Sequence, residues 1–229
     1  MEAIILAGGL GKRLKSVIKN VPKPMANIKN IPLLEIILNN LAKNNFKKII
    51  LAVGYKYQII VNHFGQNFKG MDIDYSIESE PLGTGGAIKY ASNKINGDHF
   101  YVFNGDTYLD LDINNIERSW SRSKKSIIVG CKVEDVSRYG KLCFEDNIVT
   151  SINEKNEKGA GFINAGCYIL NSSSLSSFPN SMRFSFEYDY LPLEISKRNF
   201  QIYITTGVFI DIGVPSDYIN AQNILRDYL

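Results

Sequence analysis

Short apolar runs alternate along the chain with stretches whose apolar positions recur every three or four residues. Continuous runs at 3–7, 49–53, 100–103 and 127–129 read as strands buried on both faces, the pattern of a parallel sheet. Between them, Leu33, Leu34, Ile37, Leu38 and Leu41 fall on one helical face behind Pro32, which suits a first helical position. Tyr57, Ile60, Val61 and Phe64 predict a second helix, and Ala87, Ile88 and Ala91 a third. Strand and helix in alternation imply right-handed crossovers and helices on both faces of a sheet. Beyond about residue 133 the apolar runs at 141–144, 148–152 and 162–170 are separated only by short polar turns, so antiparallel additions to the sheet are expected there. A helix near 187–197, a strand over 201–206 and a helix from Pro215 complete the prediction. There is no internal repeat and no low-complexity linker. The pattern predicts one α/β domain, a Rossmann-like, mostly parallel mixed sheet with helices on both faces and a small antiparallel extension.

Composition narrows the chemistry. The 229 residues are 45% hydrophobic and 21% charged, enough to bury a sizeable core. Lys plus Arg is 26 and Asp plus Glu is 23, a net charge of +3 with scattered cations, which points away from nucleic acid and from a membrane surface. No run approaches the roughly 18 apolar residues of a membrane span. Met1-Glu2-Ala3-Ile4 lacks the basic start of a secretory leader, and Cys131, Cys143 and Cys167 form no Cys-x-x-Cys pair, so reduced thiols and a cytoplasmic location are expected. Only His63 and His99 are present, which excludes a zinc site built on several histidines, and no Gly-x-Ser-x-Gly elbow suggests a serine hydrolase.

Five short motifs carry candidate chemistry. Leu6-Ala7-Gly8-Gly9-Leu10-Gly11-Lys12-Arg13-Leu14 follows the first strand, where glycines let backbone amides approach an anion. It is not a Walker loop, because Arg13 follows Gly11-Lys12, and not a dinucleotide fingerprint, because Leu14 stands where Gly or Ala is needed. Pro22-Lys23-Pro24 fixes the backbone around a lysine and so aims its side chain. A second glycine-rich turn, from Glu78 through Pro81-Leu82-Gly83-Thr84-Gly85-Gly86, opens a helix. Asp106 in Asn104-Gly105-Asp106 and Asp211 in Asp211-Ile212-Gly213 sit at the ends of apolar strands. Taken singly, each of these reads equally well as a turn.

In this order, together with Glu154-Lys155 and Asn164-Ala165-Gly166, the motifs resemble the sugar-1-phosphate nucleotidyltransferases over nearly the whole chain. Within that family the turn at 81–88 and the segment 209–218 look most like the bacterial D-glycero-D-manno-heptose 1-phosphate guanylyltransferases, which make GDP-heptose for surface polysaccharides. The resemblance implies a cytoplasmic enzyme whose partners are a nucleoside triphosphate, GTP, and a sugar 1-phosphate, with Mg²⁺ as cofactor. It implies that Arg13 and Lys23 are catalytic and that Asp106 and Asp211 hold the metal. Leu6, Ala7, Gly8, Gly9, Gly11, Glu78 and Gly83 would bind the nucleotide, and Gly140, Glu154, Lys155, Asn164 and Gly166 the sugar and its phosphate. Residues 1–133 would then serve mainly the nucleotide and 134–229 mainly the sugar. Asn156 stands after Glu154-Lys155 where much of the family has proline. Other readings stay open: a mannose or glucose 1-phosphate substrate, another base, or an inactive regulatory subunit, although such a subunit would be expected to lose one of Arg13, Lys23, Asp106 and Asp211. The oligomeric state is not legible in the sequence.

Overall fold

Alternate residues of the apolar runs point to opposite faces of one sheet, and both faces are buried. Ile5, Leu51, Phe103 and Val129 belong to one core and Ile4, Ile50, Val102 and Ile128 to another. The computed structural model describes the chain apart from Leu10, Lys12, Arg13, Lys15, Ser16, Lys19, residues 154–157 and Leu229. In its first half, β1 (Glu2–Leu6) is followed by a short 3-10 turn (Lys23–Met25) and a small hairpin, β2 (Asn27–Ile28) and β3 (Ile31–Pro32), that runs into α1 (Leu33–Lys43). Then come β4 (Lys48–Val53), α2 (Tyr57–Phe64), β5 (Asn67–Phe68), β6 (Met71–Ile77), α3 (Gly83–Ser92) and β7 (His99–Asn104). The second half holds β8 (Thr107–Leu109), α4 (Ile113–Ser123), β9 (Ser126–Val133), β10 (Lys141–Glu145), β11 (Ile148–Asn153), β12 (Gly161–Asn171), α5 (Leu191–Ser196), β13 (Phe200–Thr205), β14 (Phe209–Asp211) and α6 (Pro215–Ile224).

Ten of these strands form one mixed sheet in the order β10-β11-β13-β9-β12-β7-β1-β4-β6-β5. The parallel set β7, β1, β4 and β6 is in register at its carboxyl ends, with Leu6 beside both Asn104 and Ala52, and Val53 beside Ile77. Residues 162–170 are antiparallel as expected, but β12 is no outer extension: it is inserted between β7 and β9, at the centre of the sheet. The reason is burial on both faces, since every residue from Ala165 to Leu170 is buried. The helix expected over 187–197 is present as a wide helical turn, Phe186–Tyr190, that runs directly into α5, where Pro192 in the first turn has no amide to donate.

Candidate active site at the carboxyl ends of the parallel strands

A cleft of about 1580 Å³ opens where β1, β4, β6 and β7 end, the usual ligand position in an open α/β sheet. Its centre is a cluster of one lysine and two aspartates. Pro22 and Pro24 hold the 3-10 turn that carries Lys23, and the side chain is only 10% exposed. Its ammonium forms an ion pair with Asp106 and lies 4.0 Å from Asp211. The two carboxylates are far apart in sequence and meet through a second, two-stranded sheet. There β14 pairs antiparallel with β8, placing Asp211 opposite Thr107, and the Ile212 amide donates to the Asp106 carbonyl at 3.1 Å. Asp106 is delivered by Gly105, whose amide donates to the Leu6 carbonyl at 3.0 Å. A Cβ on Gly105 would stand 2.7 Å from that oxygen, so no other residue fits there without displacement.

The donor set suits a hard dication. Asp106 and Asp211, both facing the Lys23 ammonium, could give such an ion two carboxylate ligands and leave its other positions to substrate phosphates and water. Among the described residues no group of three or more His, Cys, Asp or Glu could form a closed protein cage. His63 pairs with Glu35 at 2.9 Å and His99 with Asp98 and Glu117, and neither lines the cleft.

The glycine loop lines one side of the cleft. Gly8 and Gly54 pack backbone to backbone, and a Cβ on Gly8 would lie 3.3 Å from the Gly54 nitrogen. Gly11, at φ +57°, backs onto Lys23, while Gly9 has open space around it. Leu6, Gly8, Gly9 and Gly11 line the cleft. Ala7 does not. It is buried, and its amide donates to the Ala52 carbonyl at 2.8 Å, so it serves the sheet and leaves no donor for a nucleotide. Arg13 lies outside the described residues. Glu78 directly follows β6 within the cleft; burial pushes its carboxyl up, opposed by the Leu82 amide that donates to it at 3.2 Å. Gly83, at φ +75°, also lines the cleft, but its special backbone answers to the protein: a Cβ there would stand 2.5 Å from the Phe184 carbonyl oxygen.

On the other side, Gly140 and Asn164 line the cleft, and the Asn164 side chain is fixed by bonds to the Tyr168 hydroxyl at 2.7 Å and from the Gly166 amide at 3.0 Å. Gly166 itself stands behind that surface. It has φ +71°, and a Cβ there would fall 2.4 Å from the Asn104 side-chain amide nitrogen, so the glycine makes room for Asn104. Glu154 and Lys155 lie outside the described residues.

Several cleft residues had no motif to announce them. Arg138, one residue before Tyr139-Gly140, forks onto Asp217 at 3.0 and 2.5 Å, which holds its guanidinium pKa above the ordinary value and ties the loop before β10 to the start of α6. Among the described residues, Arg138 and Lys23 are the cations that line the cleft. Tyr55 lies two residues past β4, and Asn104 ends β7 within the Asn104-Gly105-Asp106 motif, a signal available in the sequence. Glu187 and Tyr188, carried by the wide turn before α5, had none.

Comparison with known proteins agrees with this geometry. The sequence profile described as nucleotidyl transferase matches residues 2–227. D-glycero-alpha-D-manno-heptose 1-phosphate guanylyltransferase of Aneurinibacillus thermoaerophilus is 42% identical over 230 residues, covering the whole of both chains. The Campylobacter jejuni protein of the same description is 44% identical over 95% of this chain and 97% of its own. Among solved structures, HddC from Yersinia pseudotuberculosis complexed with GMP-PN superimposes with a TM-score of 0.85 at 42% identity, covering 96% of this chain and 97% of that one. The order of motifs, the carboxyl-end cleft and the full-length match agree: the chain belongs to the nucleotidyl transferase family.

Proposed function

We propose that this protein joins GTP and D-glycero-α-D-manno-heptose 1-phosphate to give GDP-heptose and pyrophosphate. The observation that carries the reading is the Lys23 ammonium set between Asp106 and Asp211 at the carboxyl ends of the parallel strands. Full-length identity of 42–44% to two heptose 1-phosphate guanylyltransferases supports the choice of sugar and base. A sugar-phosphate oxygen attacks the α-phosphorus of GTP, and the bond from that phosphorus to the bridging oxygen breaks as pyrophosphate leaves.

A phosphate monoester has its second pKa near 6, so the nucleophile is largely dianionic at neutral pH and needs no base. That fits a cleft whose described lining contains no histidine. The barrier is repulsion between two charged phosphates, overcome by positioning and countercharge. Lys23, on its proline-fixed turn, offers a compact cation to the α-phosphate as charge builds there. Arg13 would take the leaving pyrophosphate with its planar fork. Asp106 and Asp211 would hold Mg²⁺, which supplies countercharge between the phosphates. The open amides around Gly8 and Gly9 and the carboxylate of Glu78 would orient the nucleoside, while Gly140 and Asn164 would meet the sugar. The cytoplasm, where nucleoside triphosphates are made, is the matching compartment; among the described residues no helix is long and apolar enough to cross a membrane.

Pyrophosphate release measured for four nucleoside triphosphates against heptose, mannose and glucose 1-phosphates tests this reading. GTP with the heptose should dominate the panel. Preference for dTTP or UTP, or for a hexose 1-phosphate, would overturn it.

A further inference from the structure

Four described carboxylates line the cleft, and one of them has no role in the reaction as argued so far. Asp106 and Asp211 face Lys23, and Glu78 belongs to the nucleotide half. Glu187 sits on the wide turn Phe186–Tyr190, opposite the second glycine turn. Its Oε2 accepts from Thr84 Oγ1 at 2.6 Å and from Ser185 Oγ at 3.2 Å, and Thr84 Oγ1 accepts in turn from the Phe186 amide at 2.9 Å. Oε1 has no hydrogen-bond partner, and the carboxylate has no ion-pair partner, among the described residues.

An uncompensated carboxylate opposes ligand binding wherever it faces a phosphate, because like charges brought together are costly. It is useful only against a neutral, donor-rich part of a ligand. Hydroxyl groups are such donors, and a carboxylate has lone pairs for two adjacent ones. Glu187 is held by the Thr84 and Ser185 hydroxyls through one oxygen, which leaves the other unspent. Next to it Tyr188 is 79% exposed and lines the same cleft, an unusual place for a large ring unless something packs on it. An acceptor beside an exposed ring is the chemistry of a polyol site.

The sugar is fixed at C1 by its phosphate, which must reach the Lys23 cluster. The exocyclic arm leaves C5, on the other side of the ring oxygen from that anchor, and there a manno-heptose differs from mannose: its arm carries a vicinal diol, mannose a single hydroxyl. We propose that Glu187, oriented by Thr84 and Ser185, accepts from the vicinal hydroxyls of this arm while Tyr188 packs against it, so that the turn 186–190 selects heptose over hexose. The inference rests on the heptose guanylyltransferase reading above and assigns the residue that sets sugar length.

Rates with saturating GTP and either heptose or mannose 1-phosphate, for wild type and Glu187→Gln, test it. The glutamine keeps an acceptor for Thr84 and replaces the free oxygen by a donor. The heptose-to-mannose ratio of kcat/KM should fall about tenfold or more, the scale expected when a substrate hydroxyl loses its partner. The loss should appear in KM for the heptose, with KM for GTP unchanged and Glu187→Asp recovering part of the ratio. An unchanged ratio, or a rise in KM for GTP showing that Glu187 faces the ribose, would overturn the assignment. Tyr188→Ala, at a site too exposed to matter for folding, should move the ratio the same way; an unchanged ratio there overturns the packing role and stands as the deciding result if Glu187→Gln does not fold. Failure is separable from that of the parent reading: a wild type that does not use heptose 1-phosphate with GTP overturns the function, whereas a heptose-selective wild type with a ratio indifferent to Glu187 and Tyr188 overturns only this inference.

Discussion

In the proposed reaction a single side chain, Glu78, would set the base. Guanine presents N1–H and its 2-amino group as adjacent donors, which one carboxylate accepts together; uracil and thymine offer a single N–H between two carbonyls. Glu78 directly follows β6 and lines the cleft half-buried, with the Leu82 amide donating to one of its oxygens at 3.2 Å. Burial costs the charged form, and the guanine donors would return what solvent no longer supplies. Glu78→Gln should lower the preference for GTP over UTP and dTTP by about one to two orders of magnitude, the roughly 1–3 kcal/mol of one bidentate base contact. Specificity ratios for the wild type and this variant check it, and an unchanged ratio removes Glu78 from base reading. The contrast with Ala7 is instructive. Both residues lie just past strand ends and give their amides to β4, Ala7 to the Ala52 carbonyl at 2.8 Å and Glu78 to the Val53 carbonyl at 2.9 Å, so only Glu78 has a further polar group, its side chain, to offer.

At the scale of elements, two junctions make distinct predictions. The start of α3 is clasped by the segment 182–186: Gly85 donates to the Phe184 carbonyl at 3.1 Å, and a Cβ on Gly85 would stand 2.2 Å from the Phe184 ring. That ring is stacked on Phe178 with centroids 4.5 Å apart and has little room to retreat. Gly85→Ala should therefore cost about 1–3 kcal/mol as overpacking, seen as a lower urea midpoint at unchanged slope. A midpoint equal to wild type would show the clasp to be loose. The second junction ties β7 to α4. His99 stacks on Trp120 with centroids 3.8 Å apart and bonds to Asp98 and Glu117. Burial alone would lower its pKa, but the bonds to Glu117 and Asp98 and their charges outweigh it and raise it, while the pKa values of Asp98 and Glu117 are lowered. A raised histidine pKa contributes stability below its unfolded value, and that stability is lost as pH rises through the folded value. The lowered carboxyls contribute above their unfolded values and lose it as pH falls. The cluster therefore stabilises most in the window between about pH 4.5 and 6.5, the unfolded carboxyl and imidazole values. The stability gap between wild type and His99→Gln, read from urea midpoints, should shrink between about pH 6 and pH 8.5. A gap that is constant or widens would contradict this charge assignment.

For the whole molecule, the sheet order explains why some of the site was legible in the sequence and some was not. Lys23, Asp106 and Asp211 each stand in a stiff local context of proline or glycine at the end of an apolar run, and the structure brings them together. The parallel half of the sheet follows from its continuous apolar runs. Gly166 shows how a glycine that makes room for Asn104 looks, in sequence, the same as one that makes room for a ligand. Glu187 was invisible because its meaning comes from Thr84, 103 residues away. The central position of β12 escaped because a short-turned antiparallel strand reads the same at an edge as between two partners. What the topology achieves is the meeting of β7, β8 and β14 around Lys23, and the account stands on those carboxylates. The most direct test is pyrophosphate release from GTP and heptose 1-phosphate at limiting Mg²⁺ by wild type, Asp106→Asn and Asp211→Asn, with thermal melting as the control for folding. Each variant should melt cooperatively and lose turnover on the order of 10²-fold or more, as for other charge-stabilising groups removed from a transition state. Near-wild-type turnover in both folded variants would contradict the assignment of this cleft as the catalytic centre.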